Sequence, residues 1–466
     1  MLYRPKWTCG KYHAPSKTAI MYNLRSGQSF LFEDESADII GEILSHKREE
    51  LFSTEDLHNR FKADFSCEDI IEFLEVLSAN GLLQKKEQCG IEEGSDNEPK
   101  TDDYNVPSAA DYSPRPNESA YAERTQLKIV TAMIELTYKC SEKCVHCYNP
   151  GAPRNDSNMD NRQSSKLNLN QYITLIDQLI EEGLVRICLS GGDPFSSPYA
   201  WEIIDYLYSK EIAIEIFTNG QALSQNDNVK RLSEYHPCSV GLSIYSTRPE
   251  IHDRITRKKG AYDRTLSTLK QLVALSIPVE VKCCLMKYNY KYYGEVRDLA
   301  FSYGCTFQLE SAIFDSIDGD SIVSKELRLT SEQFREVCTD PISPRYVGKE
   351  NEYGKKDLDP DQNMCSAGRS AFTFTPEGDM IPCASFHLKI GNVLEQSVKE
   401  LLSSRCLSDW EKLTLKDYIE CGKHEYCNWC KPCPGQNLAS TGNYLAASEN
   451  ACFVARNRYE LAKSLR

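Results

Sequence analysis

The sequence predicts an α/β protein whose centre is a partial (β/α)6 barrel, with a winged-helix domain before it and a cysteine-rich domain after it. Three observations carry this expectation. Apolar strand-like stretches and helical stretches alternate six times in the middle of the chain. Two short strands followed by helical periodicity occupy the first 88 residues. Ten of the twenty cysteines fall into two organised sets, one near residue 140 and one between 365 and 452.

At 466 residues the chain exceeds one ordinary core. The expected division is 1–88, a small domain; 89–125, a flexible acidic linker; 126–312, the barrel; 313–361, a bridging region; and 362–466, the cysteine-rich domain. In the first unit, 22–32 reads as two strands about the turn Arg25-Ser26-Gly27, and 35–44 as an amphipathic helix. Ser66 caps a further helix in which Ile70, Phe73, Leu74 and Leu77 repeat at helical spacing. Strands followed by three helices suggest the winged helix. After Ile91 the segment to Arg124 has no Leu, Ile or Phe and is rich in acid, Pro and Ser, a composition that buries too little surface to offset its ordering entropy.

From Leu127 onward, strands are expected at 129–135, 185–190, 213–217, 240–245, 279–285 and 307–309. Helices are expected between them, among them 171–183, 201–209 and 264–274. Active-site groups of such barrels lie at the C-terminal ends of the strands.

Hydrophobic residues at 41% and charged residues at 26% fit a soluble globular chain. No apolar run of about 18 residues is present to span a bilayer, and no signal-peptide core opens the sequence, so a cytoplasmic location and no membrane partner are expected. The net charge of −14 argues against nucleic acid, which needs clustered Lys and Arg. In a reducing compartment, twenty cysteines on a long chain point to metal thiolates rather than disulfides.

Cys140, Cys144 and Cys147 follow the first barrel strand as C-x3-C-x2-C. Three thiolates within eight residues can wrap three irons of a 4Fe–4S cubane, leaving the fourth open to the amino and carboxylate groups of a small molecule. A zinc knuckle is the structural alternative. This motif after a first strand resembles the radical S-adenosylmethionine (SAM) superfamily over 127–310, and the barrel is then the TIM-like radical SAM barrel. The resemblance implies that the cluster cleaves SAM to a 5′-deoxyadenosyl radical, and that a flavodoxin- or ferredoxin-type protein supplies the electron. It places the backbone of His146 near the adenine, and Tyr148 follows as in many relatives, both counted as cofactor-binding. Ser190-Gly191-Gly192-Asp193-Pro194 matches the family's GGEP turn, with Asp193 for the usual Glu. Asn219 in Thr218-Asn219-Gly220 and Ser243 match further SAM-side positions, and Arg254 or Arg257 could neutralise the methionine carboxylate.

The second set is Cys365, Cys383, Cys421, Cys427, Cys430, Cys433 and Cys452. Seven cysteines exceed one tetrahedral zinc, although a zinc ribbon stays open. With its G-x4-C element (GDMIPC) the segment resembles the SPASM extension, which holds two auxiliary 4Fe–4S clusters, making three in all. By order, Cys365, Cys383 and Cys433 map to the first and Cys421, Cys427, Cys430 and Cys452 to the second. The compact spacing departs from the family's pattern; the first cluster is left with three ligands, its fourth iron open or closed by a cysteine such as Cys406.

Residues 1–88 resemble the precursor-peptide recognition element of peptide maturases, which binds a leader peptide as an added strand. A DNA-binding winged helix or a dimerisation domain is the alternative, and the lack of a basic recognition helix weighs against DNA. Together these parts resemble a sactipeptide- or ranthipeptide-type maturase acting on a ribosomally synthesised precursor peptide. The expected product is a sulfur-to-carbon thioether, the substrate thiolate docking on the open iron of the first auxiliary cluster. Carbon–carbon crosslinking, epimerisation, formylglycine-type oxidation and a plain iron–sulfur electron carrier are the alternatives.

Overall fold

The computed structural model describes residues 1–86, 115–153, 160–311, 313–317, 322–343, 346–347, 359–363, 365–430 and 432–464. The expected linker over 89–114 and much of the bridging region, including 348–358, lie outside the described residues.

In the N-terminal unit, β1 (Leu2–Tyr3) pairs with β5 (Gln84–Lys85), and β2 (Thr8–His13), β3 (Thr18–Asn23) and β4 (Gln28–Glu33) form an antiparallel meander. Helices Asp34–Ser45, Thr54–Phe61 and Cys67–Ala79 come between β4 and β5. Strand alternation divides this sheet into two faces. Ala19, Met21, Phe30 and Phe32 pack with the three helices, whereas Cys9, Ile20, Tyr22 and Leu31 pack toward the rest of the chain. The Ser66 cap forms as expected: its hydroxyl accepts the Asp69 N–H at 3.2 Å, and the Asp69 carboxylate accepts the Ser66 N–H at 2.9 Å.

The linker reading needs one correction. Pro116–Thr125 is a helix, with Pro116 in its first turn and the Arg115 N–H donating to Glu118 at 2.7 Å. Its polar composition reads as unstructured because what it buries is a charge. Glu118 is fully buried; it accepts Arg186 Nε at 2.7 Å and Nη2 at 2.9 Å and the Tyr22 hydroxyl at 2.8 Å. Glu215 accepts Arg186 Nη1 at 2.5 Å. Such a network offsets its desolvation only when all members are present. Tyr121 adds an apolar anchor among Cys9, Tyr22, Val130, Val185 and Cys238.

The central sheet comprises β6 (Thr131–Thr137), β7 (Arg186–Gly191), β8 (Ala213–Thr218), β9 (Ser239–Ser243), β10 (Val279–Cys284) and β11 (Thr306–Glu310), all parallel to their neighbours and in sequential order. Each agrees with its expected stretch to within two residues. The helices Leu169–Glu181, Ala200–Ser209 and Ala261–Ala274 cover the face carrying Ile134, Ile187, Ile216 and Leu242. The opposite face carries Met133, Cys188 and Phe217.

The sheet does not end at the barrel. β12 (Ala371–Phe374) runs parallel to β6 on its free side, followed by antiparallel β13 (Asp379–Ile381) and β14 (Gly391–Asn392). The expected boundary at 362 therefore has no break in hydrogen bonding, and Cys383 packs with Met133 and Cys188 on the inner face.

The N-terminal unit is docked at the end where the parallel strands begin. Buried Arg4 pairs with Glu211 at 2.7 Å just before β8, and Arg48 donates to the Tyr208 carbonyl at 3.2 Å and lies over its ring. Gly27, at φ +69°, comes so close to the Cys238 carbonyl that a Cβ would lie 2.8 Å from it. The cysteine loop sits at the other end of the strands.

Candidate active site

β6 ends at Thr137, and the next turn carries Cys140, Cys144 and Cys147. The three thiols are near enough to one another that Cys140 and Cys147 both act on the ionisation of Cys144, whose thiol burial pushes far above its usual range. Burial, with the Asp193 carboxylate next, pushes Cys140 up to about 12. Thiols placed so ionise where a cation is supplied. Backbone and side-chain donors meet Cys140 Sγ: the Glu142 N–H at 3.4 Å and Asn219 Nδ2 at 3.2 Å. Arg162, buried and paired with Asp160 at 2.6 Å, donates to the Cys140 carbonyl at 3.0 Å. The loop is also held from β9's side, through the Val145 N–H to the Ile255 carbonyl at 2.9 Å.

The turn after β7 is built against this loop. Gly191 has φ +120°, and a Cβ on it would lie 2.3 Å from the Thr137 carbonyl oxygen. On Gly192 a Cβ would lie 2.4 Å from the Tyr138 and Lys139 oxygens, while the Gly192 N–H donates to Thr137 at 2.7 Å. Both glycines are thus required for backbone to reach backbone. Asp193 is buried and accepts three bonds, from the Phe195 N–H at 3.0 Å, the Thr218 hydroxyl at 2.7 Å and the Asn219 N–H at 3.2 Å. It locks the end of β8 to the turn after β7.

Cys421, Cys427, Cys430 and Cys452 all line one cavity of about 180 Å³, with Glu420, His424 and Tyr426 at its edge. Burial pushes Cys430 up to about 12 and Cys421 to about 11, and in each case Cys427 and Cys452 add to the effect. Each of the remaining three thiols accepts a backbone N–H two or three residues on: Cys365 from Ala367 at 3.4 Å, Cys383 from Ser385 at 3.5 Å and Cys433 from Gln436 at 3.5 Å. Cys140 has the same local bond. The G-x4-C element is explained by the hairpin: Gly378, at φ +86°, makes the β12–β13 turn, and β13 leads to Cys383. Among the described residues no three His, Cys, Asp or Glu side chains close on a single ion position. The four thiols instead surround a cavity, which suits a cluster.

Residues 134–300 match the Radical SAM superfamily, and residues 365–434 match SPASM, an iron–sulfur cluster-binding domain. The chain carries a radical SAM domain and a SPASM domain. A radical SAM domain implies a 4Fe–4S cluster and SAM, and a SPASM domain binds further iron–sulfur clusters. Among sequence relatives, the antilisterial bacteriocin subtilosin biosynthesis protein AlbA of Bacillus subtilis is 26% identical over 343 residues, covering 70% of this chain and 71% of AlbA. The mycofactocin maturase MftC of Mycobacterium tuberculosis is 26% identical over 282 residues, covering 56% of this chain and 66% of MftC. Streptococcus suis SuiB, solved with the precursor peptide SuiA, superposes with a TM-score of 0.57 at 14% identity over 97% of this chain and all of SuiB, a likeness of fold.

Within this radical SAM/SPASM chain, the remaining expected SAM-side residues divide into two kinds. His146 stands edge-on to Tyr245, 4.8 Å between ring centres, and burial lowers its imidazole to about 4. Ser243 ends β9 and hydrogen-bonds to Tyr245, and Tyr148 tilts against Phe314. These are grouped about the cysteine loop. Arg254 and Arg257 are exposed on the helix after β9: Arg254 lies over Tyr288 at 4.1 Å, and Arg257 donates to the Pro153 carbonyl at 3.0 Å. Two basic groups that spacing did not single out, Lys258 and Arg264, act instead on the buried carboxylate Glu142 inside the cysteine loop. Cys406 donates to the Lys389 carbonyl at 3.6 Å. Glu142, Arg162 and the Asn219–Cys140 bond carry no motif, and only the folded loop discloses them.

Proposed function

We propose that this radical SAM/SPASM chain is a maturase that forms a thioether, from a cysteine sulfur to a carbon, in a ribosomally synthesised precursor peptide. The observation that carries the reading is that β12 extends the barrel sheet, so that Cys383 stands on the inner face beside Met133 while the Cys140 loop stands at the strand ends. A substrate in the barrel mouth then meets both thiol sets. The relatives AlbA and MftC, a biosynthesis protein of a bacteriocin and a maturase, support peptide as the substrate class.

The residues fit the groups implied. Cys140, Cys144 and Cys147 would hold the SAM cluster, Cys365, Cys383 and Cys433 a first auxiliary cluster, and Cys421, Cys427, Cys430 and Cys452 a second. When bound and reduced, the first of these with SAM supplies a 5′-deoxyadenosyl radical that removes a carbon-bound hydrogen. The chain's own part is placement. Asn219 and the Glu142 N–H orient Cys140, and Asp193 fixes Asn219. Glu135, Thr137 and Ser243 stand at the strand ends facing the mouth, and the apolar inner wall of Met133, Ala371 and Phe217 excludes water below them.

The N-terminal unit is the leader-binding domain in this reading. Its docking beside the start of β8 means that a leader bound there directs the core peptide around the barrel to the opposite mouth.

Co-expression with a short cysteine-bearing peptide encoded nearby, followed by mass spectrometry, tests the proposal. A loss of two hydrogens with the thiol no longer alkylatable supports a thioether. The same loss with a free thiol points to a carbon–carbon bond, and an unchanged mass in protein with full iron content contradicts the reading.

A further inference from the structure

The three-thiol group of Cys365, Cys383 and Cys433 has a neighbour of another kind. Tyr418 follows the short turn Leu415–Asp417; its own N–H donates to Leu415 at 3.2 Å and the next N–H, of Ile419, to Leu445 at 3.0 Å. The backbone is therefore held on both sides of it. The ring packs with Leu415, Cys421 and Leu445, and the residue is 4% exposed. Its hydroxyl has no hydrogen-bond partner. A buried hydroxyl left so costs about 1–3 kcal/mol, and in folded proteins such groups are satisfied by something.

The surroundings say by what. The charges that act on this hydroxyl are those of Cys365 first, then Cys421 and Cys433. Two of these belong to the three-thiol group and one to the four-thiol group, so the phenol stands between the two. The Tyr444 phenol acts on it more weakly. No side chain or backbone group among the described residues accepts its proton, so the acceptor has to come with what the thiols hold.

On the ligand reading given above, we propose that the Tyr418 hydroxyl is a hydrogen-bond donor to the sulfur shell of the first auxiliary cluster and sets its reduction potential. A donor to cluster sulfur withdraws charge from it and favours the reduced state, so it raises the potential. Burial keeps the proton on the phenol, pushing its ionisation well above the usual tyrosine range. Tyr418 is a positioning and tuning residue in this account; it does not touch the substrate.

The test is Tyr418→Phe in the full-length protein with all clusters loaded, which removes one oxygen and keeps the ring. In a redox titration followed by electron paramagnetic resonance, one auxiliary signal should move to lower potential, with the other two signals and the iron content unchanged. In the unsubstituted protein that same signal should show coupling to a solvent-exchangeable proton, and Tyr418→Phe should lose it. Unchanged potentials in all three signals would overturn the proposal. Loss of one cluster's iron would also overturn it, since the phenol would then be a ligand and not a donor. Cys365→Ala separates this from the underlying reading: if it leaves every signal in place, the ligand assignment fails, whatever Tyr418→Phe does.

Discussion

Asn219 Nδ2 donates to Cys140 Sγ at 3.2 Å, so a side chain from the end of the third barrel strand holds the first thiol of the loop that follows the first strand. Its own N–H is tied to Asp193, so the three C-terminal strand ends act as one unit. Asn219→Ala removes a donor to a sulfur that carries charge when it binds iron, worth about 1.5–3 kcal/mol. The expected outcome is a lower potential for the SAM cluster and slower 5′-deoxyadenosine formation, with both auxiliary signals unchanged in electron paramagnetic resonance.

Gly191→Ala should act on the same loop through the backbone. At φ +120°, with the Thr137 oxygen 2.3 Å from a Cβ, alanine cannot occupy the turn, and β7 must part from the cysteine loop. Iron analysis should then show roughly two thirds of the full complement of about twelve, the missing third being the SAM cluster. Full retention of iron would show that the loop tolerates the displacement.

The docked helix Pro116–Thr125 leads to a stability prediction. Arg186→Met leaves Glu118 buried without its arginine and Glu215 with only the longer pair to Arg115 at 3.4 Å, and breaking a buried ion pair on one side costs about 3–5 kcal/mol. Denaturant unfolding should show this loss, and limited proteolysis should release the N-terminal unit more readily. Changing Glu118 and Glu215 to Gln along with Arg186→Met should recover most of it.

Glu135 makes stability depend on pH. Burial pushes its carboxyl up to about 8, with the Tyr138 hydroxyl at 3.2 Å drawing it the other way. The folded chain therefore keeps a proton that the unfolded chain, with a carboxyl at 4.5, has released. The contribution is fully present below about 4.5 and lost as pH rises to about 8, with a slope of at most about 1.4 kcal/mol per pH unit. Unfolding midpoints measured from pH 6 to 8 should fall for the unsubstituted protein and fall less steeply for Glu135→Gln.

The parallel sheet was largely legible because β6 to β9 are mainly buried apolar runs, as parallel strands covered on both faces must be, whereas β10 and β11 alternate and are read from their Val, Phe and Leu positions. The Cys140 motif was legible because three cysteines lie within eight residues. Other features were hidden for physical reasons. The Pro116–Thr125 helix buries Glu118 against an arginine 68 residues away, and local composition holds no sign of such a partner. β12 is only four residues long and gains its place from β6. Asn219 was legible as part of Thr218-Asn219-Gly220, but its bond to Cys140, 79 positions away, was not. Gly191 and Gly192 were legible as part of a GGEP-like turn; the carbonyls of 137–139 that leave no room for a Cβ there are seen only in the fold.

The most direct measurement of the central claim is anaerobic incubation of the reconstituted protein with a reductant and SAM. The account predicts 5′-deoxyadenosine and methionine, both abolished by Cys144→Ala. Absence of 5′-deoxyadenosine from protein carrying about twelve irons per chain would contradict it.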